Sequence, residues 1–177
     1  HDGYPMYTDL FHLYPTDSYI NSMRSNYPFG EVGTVSKQSS GGFSKLGKSA
    51  VPGYPGTVFE PADEYKGDFA RTYFYMVTRY EAQVAGWSSD MLSGDAYPAL
   101  TDWALEVLLK WHRQDPVSDK EVDRNNAVYG IQHNRNPYID YPVLAEFVWG
   151  ELKGVPVDVA KLTLYSHEYD ATAVESP

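Results

Sequence analysis

Two polar side chains close to the amino terminus have a spacing that suits the binding of a phosphate group. Asn21 and Arg24 are three residues apart, so a helix would place the amide and the guanidinium on one face. An amide oxygen suits Mg²⁺ as a ligand, and a guanidinium can hold a phosphate group through two hydrogen bonds. Spacing alone favours a plainer interpretation, in which Asn21 bonds the backbone and Arg24 is solvated. The pair is therefore a hypothesis that needs independent support.

A second polar segment lies in the last third of the chain, between residues 123 and 137. It holds Arg124 and Arg135 together with Asn134 and Asn136, and it contains further asparagines. Such a density of amide and guanidinium groups is poor material for an apolar core. It suits either the binding of anions or the bracing of the backbone, and the sequence leaves both roles open.

Acidic residues offer a different chemistry at residues 60–64. Glu60, Asp63 and Glu64 could supply the acid and base of a glycosidase, which needs two carboxylates on opposite sides of one bond. Adjacent positions do not supply that separation, and acidic residues beside a helix start are usually surface groups. The chain has no Cys, which excludes disulfides, thiolate metal sites and a cysteine nucleophile. It also lacks the HExxH, Walker and GxSxG motifs.

The elements that must position these groups are short in the first part of the chain. Residues 8–14 have a strand-like pattern that ends at Pro15, which cannot continue a ladder. Asp17, or the threonine before it, can cap a short helix that runs to about residue 26. This helix would carry both Asn21 and Arg24.

Glycines punctuate residues 29–59, so this stretch is predicted to form loops, with room for one hairpin. Residues 39–42 are Ser-Ser-Gly-Gly and predict an exposed loop tip. Lys37, Lys45 and Lys48 in the same stretch could provide a local basic edge. The whole chain carries 14 Lys and Arg against 24 Asp and Glu, a formal charge of −10. That balance disfavours a protein that coats nucleic acid through global charge but permits a local basic groove.

From about residue 66 onwards, apolar residues recur at helical spacing. The predicted helices cover residues 68–84, residues 100–111, residues 119–131 after a capping-box sequence at Ser118, and a stretch bracketed by Pro142 and Gly150. Their apolar faces predict a core of Phe69, Phe74, Val77, Trp103, Val107, Leu108, Trp111, Phe147 and Trp149.

These elements predict an α+β protein, with short strands and loops in the amino-terminal part and a helix-rich carboxy-terminal part. With 177 residues the chain suits one main domain, which we assign to residues 1–154. Residues 155–177 have weak periodicity and are predicted to form a strand or an extended tail. No run approaches the roughly 20 apolar residues that span a bilayer.

Three stretches resemble the motifs of one family, in the family's order. The chain contains DLFHLYPTDSYINSMRSNYPFGEV, which is similar to the second half of the active-site motif of the bacterial endonuclease I family. These are secreted, non-specific nucleases of the His-Me finger (ββα-metal) class. The family's signature helix is matched by FEPADEYKGDFARTYFYM, and its last motif by WHRQDPVSDKEVDRNNAVYGIQHNRNPYID. The match runs from about Tyr7 to Trp149, so the chain is identified as a member of this family with a His-Me finger core.

The resemblance implies a metal-dependent endonuclease, a hydrolase that binds nucleic acid. Asn21 then corresponds to the family's metal ligand on the short helix, for Mg²⁺ first and for Ca²⁺ or Mn²⁺ as alternatives. The phosphate-binding residues that the resemblance implies are Arg24, Arg71, Arg124 and Arg135. For Arg24 the alternative is a brace of the helix, and for Arg71 it is a brace of the fold through backbone carbonyls or Glu60.

The resemblance also implies a general base that this chain does not include. In the family the base belongs to an upstream Glu-His-x-x-Pro-like motif, and no Glu-His dipeptide occurs in the 177 residues. Either the chain was cut below that motif or it is a degenerate member that has lost it. We expect the first, and we expect that residues 1–177 alone fold but are almost inactive. His12 is then expected to be a supporting or packing residue rather than the base, and Asn134 and Asn136 are expected to be structural.

The function that the resemblance implies is non-specific hydrolysis of phosphodiester bonds in DNA, with RNA as a further substrate. The family further implies a monomer that is secreted, periplasmic or held at the cell surface, without a membrane segment. The alternative is an inactive nuclease-like secreted module that binds nucleic acid, carbohydrate or protein. For such a module, the 16 Tyr and 4 Trp residues would make the contacts.

Overall fold

Seven α-helices and one three-stranded antiparallel sheet are found in residues 3–169, the part of the chain that the computed structural model describes. The strands are β1 (Val32–Gln38), β2 (Lys45–Ser49) and β3 (Thr57–Glu60). The helices are α1 (Ser18–Arg24), α2 (Lys66–Arg79), α3 (Glu81–Val84), α4 (Asp102–Gln114), α5 (Asp119–Gln132), α6 (Pro137–Asp140) and α7 (Leu144–Val148). The predicted α+β class is confirmed.

Residues 8–14 do not form the predicted strand, and that prediction was wrong. The chain instead makes two single-turn 3-10 helices, Met6–Thr8 and Leu10–His12, on either side of Asp9. The Asp9 carboxylate accepts a hydrogen bond from the backbone N–H of Phe11 at 2.9 Å and so caps the second turn. A side chain that bonds its own neighbouring backbone in this way competes with a strand ladder.

The sheet occupies the glycine-rich stretch, where the sequence predicted only loops with room for one hairpin. β2 is the central strand and pairs with β1 on one side and β3 on the other. Gly47 in β2 allows this close pairing, because a side chain there would collide with the Thr34 carbonyl of β1. The predicted loop tip is confirmed as the connection between β1 and β2, where Ser40–Gly42 form a 3-10 turn.

The main apolar interface of residues 3–115 lies between α2 and α4. Five of the predicted core residues on these helices are almost fully buried, namely Phe74, Val77, Val107, Leu108 and Trp111. Burying one such side chain contributes about 1.5–3 kcal/mol, so this interface supplies much of the stability of the fold.

Two sequence predictions for this region need correction. Phe69 is only partly buried, because its ring lies in the wall of a groove rather than between the helices. The single helix predicted over residues 68–84 is interrupted at Tyr80, which leaves the helical conformation with φ −117° and ψ 34°. As a result α2 ends at Arg79, the residue before Tyr80, and the short helix α3 begins at Glu81.

The described chain divides at Asp115 into two compact units, residues 3–115 and residues 116–169. The second unit begins with α5, and its capping box is confirmed, since Ser118 and Glu121 each accept a hydrogen bond from the other's backbone N–H. The predicted fourth helix is shorter than expected, because Pro142 lies in the turn that precedes α7.

The last described stretch, residues 155–169, contains no strand and has one 3-10 turn at Val159–Lys161. Residues 170–177, which belong to the predicted strand or tail, lie outside the described residues, and the boundary after residue 154 stays a prediction. Across residues 3–169, every helix is too short or too polar to cross a membrane.

Candidate functional site

A buried aspartate fixes the segment that carries His12. Asp9 is 5% exposed and accepts hydrogen bonds from the hydroxyls of Tyr75 and Tyr80, each at 2.7 Å. Tyr75 lies on α2, and Tyr80 is the residue directly after the end of that helix. The Asp9 carboxylate therefore ties the amino-terminal turns to α2. The Phe11 ring adds to this attachment by packing against Tyr75 with ring centres 4.7 Å apart. Sequence reasoning missed this role of Asp9, because its partners lie more than 60 positions away.

His12 is half-buried and lines a groove next to α1. Burial lowers the pKa of its imidazole below the usual 6.5, and the nearby Asp9 carboxylate opposes that effect only in part. The ring is therefore mainly neutral at pH 7. A neutral imidazole has one nitrogen that can accept a hydrogen bond or a proton.

α1 begins at a side-chain cap and presents one face to the same groove. Asp17 accepts hydrogen bonds from the backbone N–H groups of Tyr19 at 2.8 Å and Ile20 at 3.2 Å, so the predicted cap is confirmed. Asn21 is exposed and lines the groove together with Ile20 and Arg24. The helix thus brings the amide and the guanidinium to one surface, as the three-residue spacing predicted.

Arg24 is partly buried, and its guanidinium carbon lies 5.0 Å from the centre of the Phe29 ring. Its Nη1 donates to the Ser25 carbonyl at 3.1 Å, whereas its buried Nε donates to none of the described residues. Burial raises the pKa of the neighbouring Tyr73 hydroxyl, and the charge and hydrogen bond of Arg24 lower it in part. Arg24 lies in the wall of the groove and pairs with no described carboxylate, which suits an anion site.

The groove lined by these residues has a volume of about 590 Å³. His12, Asn21 and Arg24 supply polar groups, and the rest of the lining is mainly apolar, with aromatic rings from Tyr14, Phe29, Phe59, Tyr65, Phe69, Tyr73 and Trp87. A concave apolar surface with a few convergent polar groups is typical of a ligand site. The structure therefore brings together three of the residues that the sequence singled out.

The donor atoms of this groove do not complete a metal site. Among residues 3–169, no three His, Asp or Glu side chains are grouped so that they could hold a metal ion. Asn21 offers one amide oxygen, and the one carboxylate among the described residues that line the groove, that of Asp17, already accepts two hydrogen bonds at the start of α1. Protein sites for Mg²⁺ normally include one or two carboxylates. The described residues on their own therefore do not fit Mg²⁺, Ca²⁺ or Mn²⁺, and the metal stays a prediction.

Comparison with known proteins agrees with the motifs that surround this groove. Residues 1–143 match the family model described as Endonuclease I, which is most of the chain. The chain belongs to the endonuclease I family. The family membership expected from the three motifs is thereby confirmed.

Curated relatives of this endonuclease I family member are named as nucleases. The extracellular ribonuclease of Bacillus amyloliquefaciens is 40% identical over 155 residues, which cover 80% of this chain and 46% of the relative. The Endonuclease-1 of Buchnera aphidicola is 26% identical over 132 residues, 75% of this chain and 44% of the relative. The periplasmic deoxyribonuclease of Aeromonas hydrophila is also 26% identical over 132 residues, 75% of this chain and 47% of the relative. The chain spans about half the length of the curated relatives it matches.

Arg71 lies in the stretch that resembles the endonuclease I signature helix, but it does not line the groove. Its side chain is 0% exposed. Its Nη1 donates to the Asp115 carbonyl at 2.9 Å and lies 3.5 Å from Nδ1 of His112, and its Nη2 is 3.8 Å from the Asp68 carboxylate. A side chain without exposed surface cannot reach a substrate phosphate in this arrangement. For Arg71 the geometry therefore favours a brace between α2 and the end of α4 over a phosphate-binding role.

Arg135, in the second unit of the endonuclease I family chain, forms an ion pair within the protein. Its Nε and Nη2 each donate to the Asp140 carboxylate at 2.7 Å, and its Nη1 donates to the Asn126 side chain at 2.9 Å. The hydrogen bonds to Asp140 raise the pKa of Arg135 above its ordinary value. A phosphate would have to displace this carboxylate, so the geometry favours a brace here as well.

Asn136 is buried and organises the start of α6. Its side chain accepts a hydrogen bond from the backbone N–H of Tyr138 at 3.0 Å. Its own backbone N–H donates to Asn125 Oδ1 at 2.9 Å, and its carbonyl accepts from Asn125 Nδ2 at 3.3 Å. These contacts are structural. Arg124 and Asn134 are partly exposed in the same unit, and the roles expected for them stay predictions.

Two of the three carboxylates at residues 60–64, those of Glu60 and Asp63, take part in a salt-bridge cluster beside the groove. Glu60 accepts hydrogen bonds from the Val32 backbone N–H at 2.8 Å and from Lys66 Nζ at 2.9 Å, and Asp63 pairs with the same Nζ at 2.7 Å. The hydrogen bond from Lys66 holds the pKa of Asp63 below its ordinary value. A general acid needs a raised pKa, so this arrangement does not favour the glycosidase alternative.

Proposed function

We propose that the protein hydrolyses phosphodiester bonds of nucleic acids and holds its substrate in the groove lined by His12, Asn21 and Arg24. The observation that carries the proposal is the convergence of these three motif residues on one groove of an endonuclease I family chain. Relatives named as a ribonuclease and as deoxyribonucleases support RNA as well as DNA as the substrate. Their extracellular and periplasmic names support a secreted protein.

Arg24 binds a phosphate group of the substrate in this proposal. No carboxylate among the described residues neutralises its charge, which lies instead against the Phe29 ring. Hydrogen bonds between a guanidinium and a phosphate are about twice as strong as those between neutral groups. Contacts with the phosphate backbone carry no base information, so this arrangement fits cleavage without sequence preference.

His12 supports the phosphate site as a neutral hydrogen-bonding group. Its lowered pKa keeps the imidazole uncharged at pH 7, so that it can accept a hydrogen bond from water or from a substrate hydroxyl in the groove. We do not assign it the abstraction of a proton. The resemblance gives that role to a Glu-His motif, and these 177 residues contain no such dipeptide.

The test is a digestion assay with supercoiled plasmid and with single-stranded RNA, in Mg²⁺ and in EDTA. Residues 1–177 and the complete encoded protein are compared at equal concentration. We expect the complete protein to cleave in Mg²⁺ only, and residues 1–177 to be slower by about 10²–10⁴-fold, the typical contribution of a general base. Binding without cleavage in every condition would favour the inactive nuclease-like module. Full activity of residues 1–177 would make His12 the candidate base.

The role of the Asn21 amide is tested by Asn21→Ala, made in whichever form of the protein cleaves nucleic acid in that assay. Because Asn21 is exposed, the unfolding free energy should change by no more than about 0.5 kcal/mol. Cleavage should fall severely, since the groove loses its one amide oxygen from α1. Asn26→Ala is the matched control, because Asn26 is exposed just after α1 and does not line the groove. Equal activity in the two variants would contradict the role of Asn21.

A further inference from the structure

The hairpin formed by β1 and β2 carries a net positive charge in an otherwise acidic chain. We call residues 32–49 the basic hairpin, because they contain three Lys and no Asp or Glu. The rest of the chain carries 11 Lys and Arg against 24 Asp and Glu. A local field of opposite sign to the net charge marks a surface that an anion can approach.

The lysines of the basic hairpin are paired with carboxylates less closely than Lys110 on α4 is. Lys37 and Lys48 are exposed, and no described carboxylate pairs with either; Lys48 donates only to the Pro55 carbonyl, at 3.4 Å. Lys45 is 3.9 Å from Glu60 and keeps 36% of its side chain exposed. By contrast, Lys110 on α4 pairs with Glu31 at 2.7 Å. The basic hairpin therefore has charge available for a partner.

The tip of the basic hairpin also exposes a large aromatic ring. Phe43 is 72% exposed, and its ring lies over Gly41. Gly41 and Gly42 have φ of 77° and 74°, which other residues rarely adopt, so the turn that presents the ring depends on these glycines. An exposed ring beside positive charge is the combination that proteins use to stack on unpaired bases while they hold the phosphates.

The tip lies at the edge of the groove described above. Ser44, the residue after Phe43, lines that groove together with Arg24. The pairing of Lys45 with Glu60 sets the tip beside the end of β3, and Pro61, the next residue, also lines the groove. A strand of nucleic acid bound in the groove would therefore pass close to the basic hairpin.

We propose that the basic hairpin is a substrate-holding arm, in which Lys37 and Lys48 contact phosphates and Phe43 stacks on an unpaired base next to the groove. This proposal rests on the proposed function, because it takes nucleic acid as the partner. It adds a preference for single strands, since a base in a duplex is already stacked and does not present its face to Phe43.

The test of the phosphate contacts is fluorescence anisotropy with labelled oligonucleotides in EDTA, so that binding is measured without cleavage. Lys37→Gln/Lys48→Gln is compared with Arg79→Gln/Lys110→Gln, which removes the same charge from α2 and α4. For single strands of DNA and of RNA, we expect the hairpin variant to lose about tenfold in affinity. The slope of log affinity against log salt should fall by about 1.4, at about 0.7 for each phosphate contact. The control variant should stay within about twofold of the wild type.

Phe43→Ala tests the stacking contact. Its affinity for a single strand should fall at least about fivefold, and its affinity for a duplex should not change. Tyr97→Ala is the control, because Tyr97 is 49% exposed in the same unit and does not line the groove. An equal loss for single strand and duplex would overturn the stacking role.

Two outcomes of these measurements would overturn the proposal that the basic hairpin holds the substrate. They are equal losses in the two double variants, which would be an effect of net charge alone, and a wild-type chain that binds no oligonucleotide. The proposed function fails separately, if the complete protein binds nucleic acid through the hairpin but does not cleave it in the digestion assay.

Discussion

Arg24 and Arg71 lie in two regions that both match family motifs, yet the protein uses their guanidinium groups in opposite ways. Arg71 is fully buried and bonds the Asp115 carbonyl beside the Asp68 carboxylate. Arg24 lies in the groove wall, where it hydrogen-bonds the Ser25 carbonyl and the Tyr73 hydroxyl and pairs with no described carboxylate. Arg71 is thus surrounded by partners within the protein, whereas Arg24 lies in a groove wall without a carboxylate partner among the described residues.

The comparison shows that the exposure and the partners of a motif arginine indicate its role better than its residue type does. Arg135 follows the pattern of Arg71, since three of its nitrogen atoms donate to Asp140 and Asn126. A phosphate that approached either of these arginines would have to displace an existing carboxylate or carbonyl partner, whereas no described carboxylate would have to leave Arg24. The following variants test this difference between the two regions, starting with the largest effect.

Arg71→Met should destabilise the protein more than any other substitution proposed for these two regions. Removing one member of a buried, charged network costs about 3–5 kcal/mol, because the Asp68 carboxylate stays buried with one cation fewer. Urea unfolding of the variant and of Arg79→Met measures the effect. Arg79 is exposed at the end of α2, so its replacement should change stability by about 0.5 kcal/mol or less. A loss below about 1 kcal/mol for Arg71→Met would contradict its role as a brace.

Asp9→Asn should have the next largest effect, because it removes the charged acceptor of two tyrosine hydroxyls and one backbone N–H. Hydrogen bonds to charged groups contribute about 1.5–3 kcal/mol each, and the amide oxygen can replace part of that. We expect a loss of about 2 kcal/mol in urea unfolding. Asp95→Asn, at an exposed position, should be neutral. Stability equal to that of the wild type would mean that the carboxylate does not hold the segment before α1.

His12 should titrate below pH 6.5 in an NMR experiment, since burial disfavours the charged ring. In Asp9→Asn its pKa should fall further, because the carboxylate charge that opposes burial is gone. The direction in which stability changes with pH follows from the lower pKa of His12 in the folded state. The folded protein binds fewer protons than the unfolded chain, so stability falls as the pH drops from 6.5 through the folded pKa. A His12 pKa at or above 6.5 would be inconsistent with this account.

Where structure depends on neighbouring residues, the sequence predicted it well. The Asp17 cap of α1 and the capping box of α5 are contacts between residues two or three positions apart, and both are present. The helical spacing of apolar residues located α4 because that period reports directly on one buried face. Of the site, the sequence predicted that Asn21 and Arg24 share a surface, since one turn of helix decides that.

The parts that sequence reasoning missed depend on distant contacts. The strand predicted over residues 8–14 is replaced by turns that Tyr75 and Tyr80 hold through Asp9, and no local pattern reveals those partners. β1 escaped prediction because it is exposed along almost its whole length and so lacks the alternation of buried and exposed residues. The burial of Arg71 was equally hidden, since an arginine in a motif looks the same whether its partner is a phosphate or a carbonyl.

The most direct test of the central claim is the affinity of Arg24→Gln for a labelled single-stranded oligonucleotide in EDTA, compared with Arg79→Gln and the wild type. Both substitutions remove one positive charge from the same unit, but only Arg24 lines the groove. We predict a loss of about 10- to 100-fold for Arg24→Gln, as expected for a lost charged hydrogen bond of about 1.5–3 kcal/mol. The loss for Arg79→Gln should be less than about twofold. Equal affinities in the two variants would contradict the claim that this groove binds the phosphates of nucleic acid.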